Sequence, residues 1–198
     1  MSITIKMKVR EKMMVEGREG LEFKAWEKIP RENPFKATIT EKIDGTNGCI
    51  VIESGEIVGI QSRKRFIAVG DDNHGFAAWV LANEKDLLGL GDGHHYGEWA
   101  GPGIQKNPHG LPEKTFFLFN TFRWNDQNSN RPACCSVVPV LFEGILGSDT
   151  IEHELRKLEE TAVEGYRPEG VVVYYPAFRK YTKHTIKASI KDLIERFN

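Results

Sequence analysis

The chain of 198 residues is long enough for one domain with a substantial hydrophobic core. Its 27 basic and 28 acidic residues leave a formal net charge of −1, which excludes a strongly basic nucleic-acid-coating protein and an acidic disordered tail. Hydrophobic residues make up 40% of the chain, an ordinary globular composition. No apolar run approaches the roughly 18 residues of a transmembrane helix, so we expect no membrane partner. The N-terminal residues also do not have the apolar stretch of a secretory signal.

The three cysteines are Cys49, Cys134 and Cys135. An odd number with two adjacent members does not suit a disulfide framework, so we expect a reduced, cytoplasmic protein. The C-x-x-C spacing of a structural zinc site does not occur in the sequence.

The first predicted elements are three short strands separated by turn residues. Alternating or continuous apolar character predicts strands over Ala37–Ile43, Gly48–Glu53 and Ile57–Ser62, with a turn at Ser54-Gly55-Glu56. Because short connections favour neighbouring strands, we expect an antiparallel three-strand meander over residues 37–62.

Further along the chain, apolar periodicity predicts a mixture of helices and strands. The predicted helices are His74–Leu88, Thr150–Val163 and Ser189–Phe197, and the predicted strands are His94–Trp99, Thr115–Arg123, Cys134–Phe142 and Gly170–Tyr175. This order predicts an α+β fold with mostly antiparallel strands and helices outside them. We expect a single domain over residues 1–198, with no separate C-terminal domain.

The first candidate functional residue is Lys42, which follows a predicted strand and precedes a sharp Asp44-Gly45 turn. Taken alone, this pattern is also typical of a surface hairpin. A lysine at a strand end beside a glycine-containing turn is nevertheless a good way to present an amine to a phosphate.

Charged residues also occur at two strand ends that follow. Residues 61–66 contain three consecutive cations, of which Arg63 could bind phosphate in bidentate fashion; the alternative is a solvated face. If the meander is right, these cations lie near Lys42. Glu98 lies on an apolar strand flanked by glycines, and a buried carboxylate needs a partner, either an arginine or a ligand.

The second half of the chain adds aromatic, acidic and basic candidates. Phe117 and Phe119 share one face of a predicted strand, where either could stack on a base, although core packing is the more common role. Glu169 opens an otherwise apolar strand. Residues 178–191 carry five cations and no acid, which suits a triphosphate or a nucleic-acid backbone.

The order of these clusters resembles the motif set of the covalent nucleotidyltransferases, which comprise ATP-dependent DNA ligases, RNA ligases and messenger-RNA capping enzymes. KIDGTNG at residues 42–48 and GEWAGPGIQ at residues 97–105 are most similar to the nick-sealing RNA ligase family, the type represented by the second RNA ligase of phage T4. The resemblance covers about residues 35–190. It implies a nucleotidyltransferase fold in which antiparallel sheets, flanked by helices, enclose the ATP site.

The resemblance implies that Lys42 attacks the α-phosphate of ATP and forms a covalent lysyl-AMP. The residues implied to bind the base and the sugar are Glu41 and main-chain groups near Ile43 at the adenine edge, Phe119 stacking on adenine, Glu98 at the ribose hydroxyls, Gln105 beside the sugar and Arg63 near the ribose or phosphates.

The same resemblance assigns residues to the phosphates and to a divalent metal. Asn47 would lie near the phosphates or the end being sealed, and Glu169 would help to hold Mg²⁺ or Mn²⁺ and steer Lys42. Lys183 and Lys187 would contact the phosphates. The last motif has an open register, because Ile186-Lys187 matches only its first half while Lys183 and Lys180 compete.

The implied function is ATP-dependent polynucleotide ligation, with RNA ends or a nicked duplex as the expected nucleic-acid partner. A DNA ligase, a capping enzyme and a non-catalytic nucleotide- or RNA-binding module of the same fold remain alternatives. About ten residues follow Lys187, so an accessory subunit could supply the nucleic-acid contacts of an absent C-terminal domain.

Overall fold

The computed structural model describes residues 35–125 and 130–186. The strands are β1 (Lys36–Glu41), β2 (Thr46–Glu53), β3 (Glu56–Ser62), β4 (Gly93–Ala100), β5 (Thr115–Leu118), β6 (Cys135–Val137), β7 (Val140–Ile145), β8 (Gly170–Tyr175) and β9 (Lys180–Thr185). The helices are α1 (Phe76–Ala82), α2 (Glu84–Leu87), a 3₁₀ turn (Leu88–Leu90) and α3 (Thr150–Glu160). None of the described helices is long and apolar enough to cross a bilayer.

Two sheets contain these strands. The first sheet has the order β7-β1-β8-β9 and is antiparallel throughout. The second sheet has the order β3-β2-β4-β5-β6, in which only the β5–β6 pair is parallel. The predicted α+β class with antiparallel sheets and few helices is therefore confirmed.

Each sheet buries one face against helical segments. In the first sheet, Ile39, Val171 and Val173 pack with Leu155 and Leu158 of α3. In the second sheet the buried set comes from alternate strand positions and from the α1 region, namely Ile50, Ile52, Trp99, Phe116, Phe76, Val80 and Leu90. Because side chains alternate across a strand, the intervening positions of both sheets face away from these cores.

The predicted meander is wrong at its first step. β1 pairs with β7 and β8 in the first sheet, whereas β2 pairs with β3 and β4 in the second. Residues 42–45 therefore connect one sheet to the other instead of forming a hairpin turn. A short connection favours strand pairing, but here the apolar faces of β1 and β2 pack into two separate cores.

The predicted strand Cys134–Phe142 also divides between the sheets. β6 ends at Val137 in the second sheet, and β7 begins at Val140 in the first. Pro139, which lies between them, has no N–H to donate to a ladder, and its carbonyl accepts a hydrogen bond of 2.9 Å from the N–H of Glu41.

Two other elements are shorter than predicted because asparagine side chains bind the backbone. The predicted helix His74–Leu88 breaks at Asn83, whose Nδ2 donates to the carbonyl of Trp79 at 2.8 Å. The predicted strand Thr115–Arg123 ends at Leu118, and the Oδ1 of Asn120 accepts a hydrogen bond from the N–H of Arg123 at 3.0 Å. The predicted helix Ser189–Phe197 lies outside the described residues.

Candidate functional site

Lys42 stands where the chain leaves the first sheet for the second. Its N–H donates to the carbonyl of Gly170 at 2.9 Å, so its backbone continues the β1–β8 ladder by one residue. By strand alternation its side chain shares a face with Thr38 and Thr40, opposite the face that packs on α3. The amine is thereby presented on the open side of the first sheet, beside the second.

The turn after Lys42 is fixed against the second sheet. The N–H of Asp44 donates to the Nε2 of His109 at 2.8 Å. A Cβ at residue 45 would lie 2.4 Å from the carbonyl oxygen of Trp99, closer than real Cβ contacts, so only glycine fits there. The Asp-Gly pair that the sequence singled out is therefore required by a close backbone approach.

The Lys42 amine forms an ion pair with the Oε2 of Glu169. Both side chains are partly buried, with 22% and 30% of their surface exposed, so the pair is screened less than a surface pair. The carbonyl of Glu169 accepts a hydrogen bond from the N–H of Ile186, which extends the β8–β9 ladder and fixes the glutamate at the strand opening. The structure thus brings together two predicted residues that are 127 positions apart.

Glu98 provides a second carboxylate on the facing sheet. It lies opposite Asn47 in the β2–β4 register, and the Nδ2 of Asn47 donates to its Oε2 at 2.9 Å. Glu98 is only 9% exposed, and burial raises its pKa to about 7 against the opposing effects of the Lys42 charge and a hydrogen bond from the backbone of Gly45. Protonation of this carboxylate therefore falls near neutral pH, and a ligand that donates hydrogen bonds to it would favour the ionised form.

We expect this raised pKa to make the stability of the fold depend on pH. The folded state binds the Glu98 proton more tightly than the unfolded chain, so the stabilisation is complete below the ordinary value of 4.5 and is lost as pH rises through about 7. Between pH 5 and pH 8 the free energy of unfolding of the wild type should fall by roughly 2–3 kcal/mol relative to Glu98→Gln.

Denaturant unfolding of both proteins at several pH values measures this difference directly. Glu53→Gln, at the exposed end of β2, is the control and should follow the wild type. Parallel curves for the wild type and Glu98→Gln would contradict the raised pKa.

Glu41, predicted to meet the adenine edge, is a buried carboxylate with two protein partners. Its Oε1 accepts a hydrogen bond of 2.8 Å from the hydroxyl of Tyr166 and lies 3.2 Å from the Nδ1 of His109. Burial and the Glu41 contact raise the pKa of Tyr166 to about 12, so this hydroxyl remains a donor. Sequence reasoning missed both partners, since a lone histidine in a Gly/Pro-rich loop and a tyrosine between helix and strand carry no motif.

A third, small apolar cluster includes a residue of the connection from β1 to β2. Ile43, Ala100 and Val138 are buried together, with Leu111 and Phe117 packed against them. Phe117 therefore has a packing role, whereas Phe119 is 38% exposed and follows β5. Its N–H donates to the carbonyl of Tyr96 at 3.0 Å, so Phe119 lies beside β4.

The remaining predicted residues are placed differently. Arg63 lies exposed in the turn after β3, and its expected proximity to Lys42 relied on the incorrect meander. Gln105 is exposed and has left-handed backbone torsions, with φ of 44°. Lys183 is exposed on β9 opposite Val172, in the register row of Thr40, two rows from Lys42 and on the same face of the sheet. Lys187 lies outside the described residues.

A divalent cation would fit this site only with help from a bound ligand. In the described ranges, no group of three or more His, Cys, Asp or Glu side chains could hold a metal ion. Mg²⁺ commonly uses one or two carboxylates together with phosphates and water, and the partly exposed Glu169 provides one such carboxylate. The donor set therefore suits a cation that arrives with nucleotide phosphates.

Two mainly antiparallel sheets with helices outside them, and a lysine leaving one sheet opposite a buried glutamate of the other, are the arrangement expected of a nucleotidyltransferase fold. The chain matches the RNA ligase family over residues 35–191 and belongs to it. The family resemblance carried by the two sequence motifs is thus confirmed. No curated protein is significantly similar to the chain in sequence.

Solved structures of a Naegleria gruberi RNA ligase are similar in fold. An apo mutant has a TM-score of 0.56 and 18% identity, covering 80% of this chain and 52% of the other. A mutant with ATP and Mn has a TM-score of 0.55 and 18% identity, covering 80% and 51%, and a complex with PPi has a TM-score of 0.54 and 19% identity, covering 80% and 52%. At such identities the likeness shows the fold alone, and this chain spans about half the length of those proteins.

Proposed function

We propose that this chain is an ATP-dependent adenylyltransferase that activates RNA ends for ligation. The observation that carries the proposal is the Lys42 amine on the open face of the first sheet, ion-paired with Glu169 and close enough to Glu98 for its charge to lower that pKa. A positioned amine between two carboxylates is suited to phosphoryl attack, in which the acids take up a proton and bind hydroxyl groups.

In the first step, the lone pair of the Lys42 amine forms a bond to the α-phosphorus of ATP, and the bond from that phosphorus to pyrophosphate breaks. The ion-paired ammonium must give up one proton before its lone pair can attack, and the nitrogen gives up a second proton once the bond to phosphorus has formed. Glu169, already in contact with it, is the group placed to receive or relay these protons to solvent. A divalent cation held by Glu169 and the ATP phosphates would neutralise charge on the departing pyrophosphate. Lys183, on the same face of the sheet, would add positive charge there.

The nucleotide would lie between the two sheets. Glu98 would accept hydrogen bonds from ribose hydroxyls beside Asn47, and Glu41 would accept from the adenine amino group through its second oxygen. Phe119 would stack on the base, with Ile43 and Gln105 bordering the base and sugar and Arg63 reaching the sugar or phosphates. Lys187 would complete the phosphate contacts.

In the following steps, the 5′-phosphate of an RNA end displaces Lys42 from the AMP, and a 3′-hydroxyl then attacks that phosphate and releases AMP. RNA as the substrate class is supported by membership of the RNA ligase family. We place this activity in the cytoplasm, because Cys49, Cys134 and Cys135 are all free thiols, as in a reducing compartment.

The test is covalent labelling of the purified chain by ATP or GTP with magnesium. We expect a mass increase of one AMP with ATP, and a preference over GTP of about 10²-fold or more, because the guanine oxygen would face the Glu41 carboxylate. A chase with a nicked duplex carrying a 5′-phosphate RNA strand should move the AMP from protein to RNA.

The control is the same strand with a 5′-hydroxyl, which should leave the lysyl-AMP in place. Equal labelling by ATP and GTP would contradict the Glu41 assignment, and transfer to a matched DNA strand at the same rate would contradict the RNA assignment. Absence of a covalent adduct with any nucleotide would contradict the proposed function itself.

A further inference from the structure

A buried histidine connects the residues on both sides of the nucleophile. His109 binds Glu41, one residue before Lys42, and Asp44, two residues after it. Its side chain is only 4% exposed, and it lies 65 positions from Asp44 in the sequence. The contact therefore depends on the tertiary fold, and both ring nitrogens of His109 are used by the segment that carries Lys42.

The hydrogen-bond pattern fixes the tautomer of the His109 ring. A backbone N–H can only donate, so the Nε2 that accepts from Asp44 must carry a lone pair. The proton of the neutral ring is then on Nδ1, which lies 3.2 Å from the Oε1 of Glu41. The opposite tautomer and an imidazolium would both direct a ring proton at the Asp44 N–H and lose this hydrogen bond.

The loop around His109 is fixed against the segment that leads to Glu169. The N–H of Arg167 donates to the carbonyl of Pro108 at 2.7 Å. Gly110 has φ of 59°, and a Cβ there would lie 2.2 Å from the carbonyl oxygen of Gly165. Tyr166, in that same segment, donates to the Glu41 oxygen that faces His109. The residues on either side of His109, Pro108 and Gly110, are therefore fixed by close backbone contacts with Arg167 and Gly165.

The same loop contains an unusual run of backbone strain. Gln105, Lys106 and Asn107 all have left-handed torsions, with φ of 44°, 62° and 50°. Such torsions are costly for residues other than glycine and persist where the surroundings enforce them. Here the side chain of Asn107 helps to hold the loop, since its amide bonds the N–H and the carbonyl of Leu111 at 3.1 Å and 2.8 Å.

We propose that His109 is a positioning residue for the attack by Lys42, acting through Glu41 and Asp44; this rests on the proposed adenylyltransferase function. Lysine has a long flexible side chain, so the direction in which its backbone presents it decides how often the amine reaches the phosphorus. His109 contacts the side chain of Glu41 before Lys42 and the backbone of Asp44 after it. A displacement of about 1 Å in such a site costs about 10²-fold in rate.

The experiment compares His109→Phe with His109→Gln in single-turnover adenylation. Phenylalanine fills the space but has neither hydrogen-bonding atom, whereas glutamine offers one donor and one acceptor. We expect the rate at saturating ATP to fall about 10²-fold in His109→Phe and to recover about 10-fold in His109→Gln. The ATP concentration for half-maximal rate should change by less than about threefold, because His109 acts on the geometry of attack.

His153→Gln, on the exposed surface of α3, is the matched control and should adenylate at the wild-type rate. A wild-type rate in folded His109→Phe, or an equal loss in the two His109 variants with no rescue, would overturn the proposal. If His109→Phe does not fold, His109→Gln is compared with Tyr166→Phe, which removes one donor to Glu41 and keeps the Asp44 bond. A greater rate loss in Tyr166→Phe than in His109→Gln would then overturn it.

Nitrogen-15 NMR of the wild-type imidazoles supplies a readout that needs no variant. A neutral Nδ1–H tautomer at His109 is expected, and an Nε2–H tautomer or an imidazolium would overturn the proposal. Labelling of the wild type by ATP distinguishes failure of the proposed adenylyltransferase function from failure of the positioning role of His109. If the wild type forms no adduct, the proposed function fails; if it forms one and the folded His109 variants match it in rate, only the positioning role fails.

Discussion

Lys42→Ala is expected to abolish the covalent adduct with ATP, lowering the rate by more than about 10³-fold, as removal of a nucleophile does in other covalent enzymes. The physical reason is that the fold presents the Lys42 amine on the open face of the first sheet, in contact with Glu169. Mass spectrometry of the protein after incubation with ATP and magnesium measures the effect. Glu169 is 30% exposed, so losing its partner should cost little stability.

Two further variants make the result specific. Lys42→Arg keeps a positive charge beside Glu169 and Glu98 but replaces the amine with a guanidinium, which is a poor nucleophile at neutral pH. It should therefore remain folded and unlabelled. Lys36→Ala removes an exposed lysine of the same strand, paired with Glu143 at 3.3 Å, and should label normally. A normally labelled Lys42→Arg would show that another lysine is the nucleophile.

Local sequence patterns were sufficient to predict several parts of this site. Lys42 and the Asp-Gly turn were recognised because a strand end, a reactive amine and a glycine fall within four residues. Glu98 was recognised because a carboxylate on an apolar strand requires a partner, and the structure supplies Asn47. Such features depend on spacing along one segment, which the sequence displays directly.

Contacts between distant segments were not predictable in the same way. The bonds from His109 to Asp44 and from Tyr166 to Glu41 join residues 65 and 125 positions apart, and neither residue belongs to a periodic pattern. The division of β1 and β2 between sheets was missed for a related reason. Their alternation shows that each strand has a buried face, but it does not show which core that face joins.

Glu169→Gln is expected to slow adenylation by about 10²-fold while leaving the fold intact. The substitution keeps the size of the side chain and a hydrogen-bonding oxygen, but removes the charge that pairs with the Lys42 amine. Proton transfer by a positioned group and preorganised charge stabilisation each contribute about 10²-fold or more. Single-turnover labelling measures the rate, and Glu164→Gln, an exposed neighbour in the same loop, is the control that should match the wild type.

A titration with Mg²⁺ and Mn²⁺ then separates the two roles assigned to Glu169. If the carboxylate helps to hold the cation, Glu169→Gln needs a higher metal concentration for half-maximal rate, because one charged oxygen ligand is lost. If it acts only on the Lys42 proton, the metal requirement is unchanged, and the lost rate returns as pH rises, since solvent then deprotonates the amine. Glu169→Asp keeps the charge but places the carboxylate one methylene further back, so it should restore metal binding more fully than attack by Lys42. A Glu169→Gln protein that labels at the wild-type rate at every metal concentration and pH would show that this ion pair has no part in the chemistry.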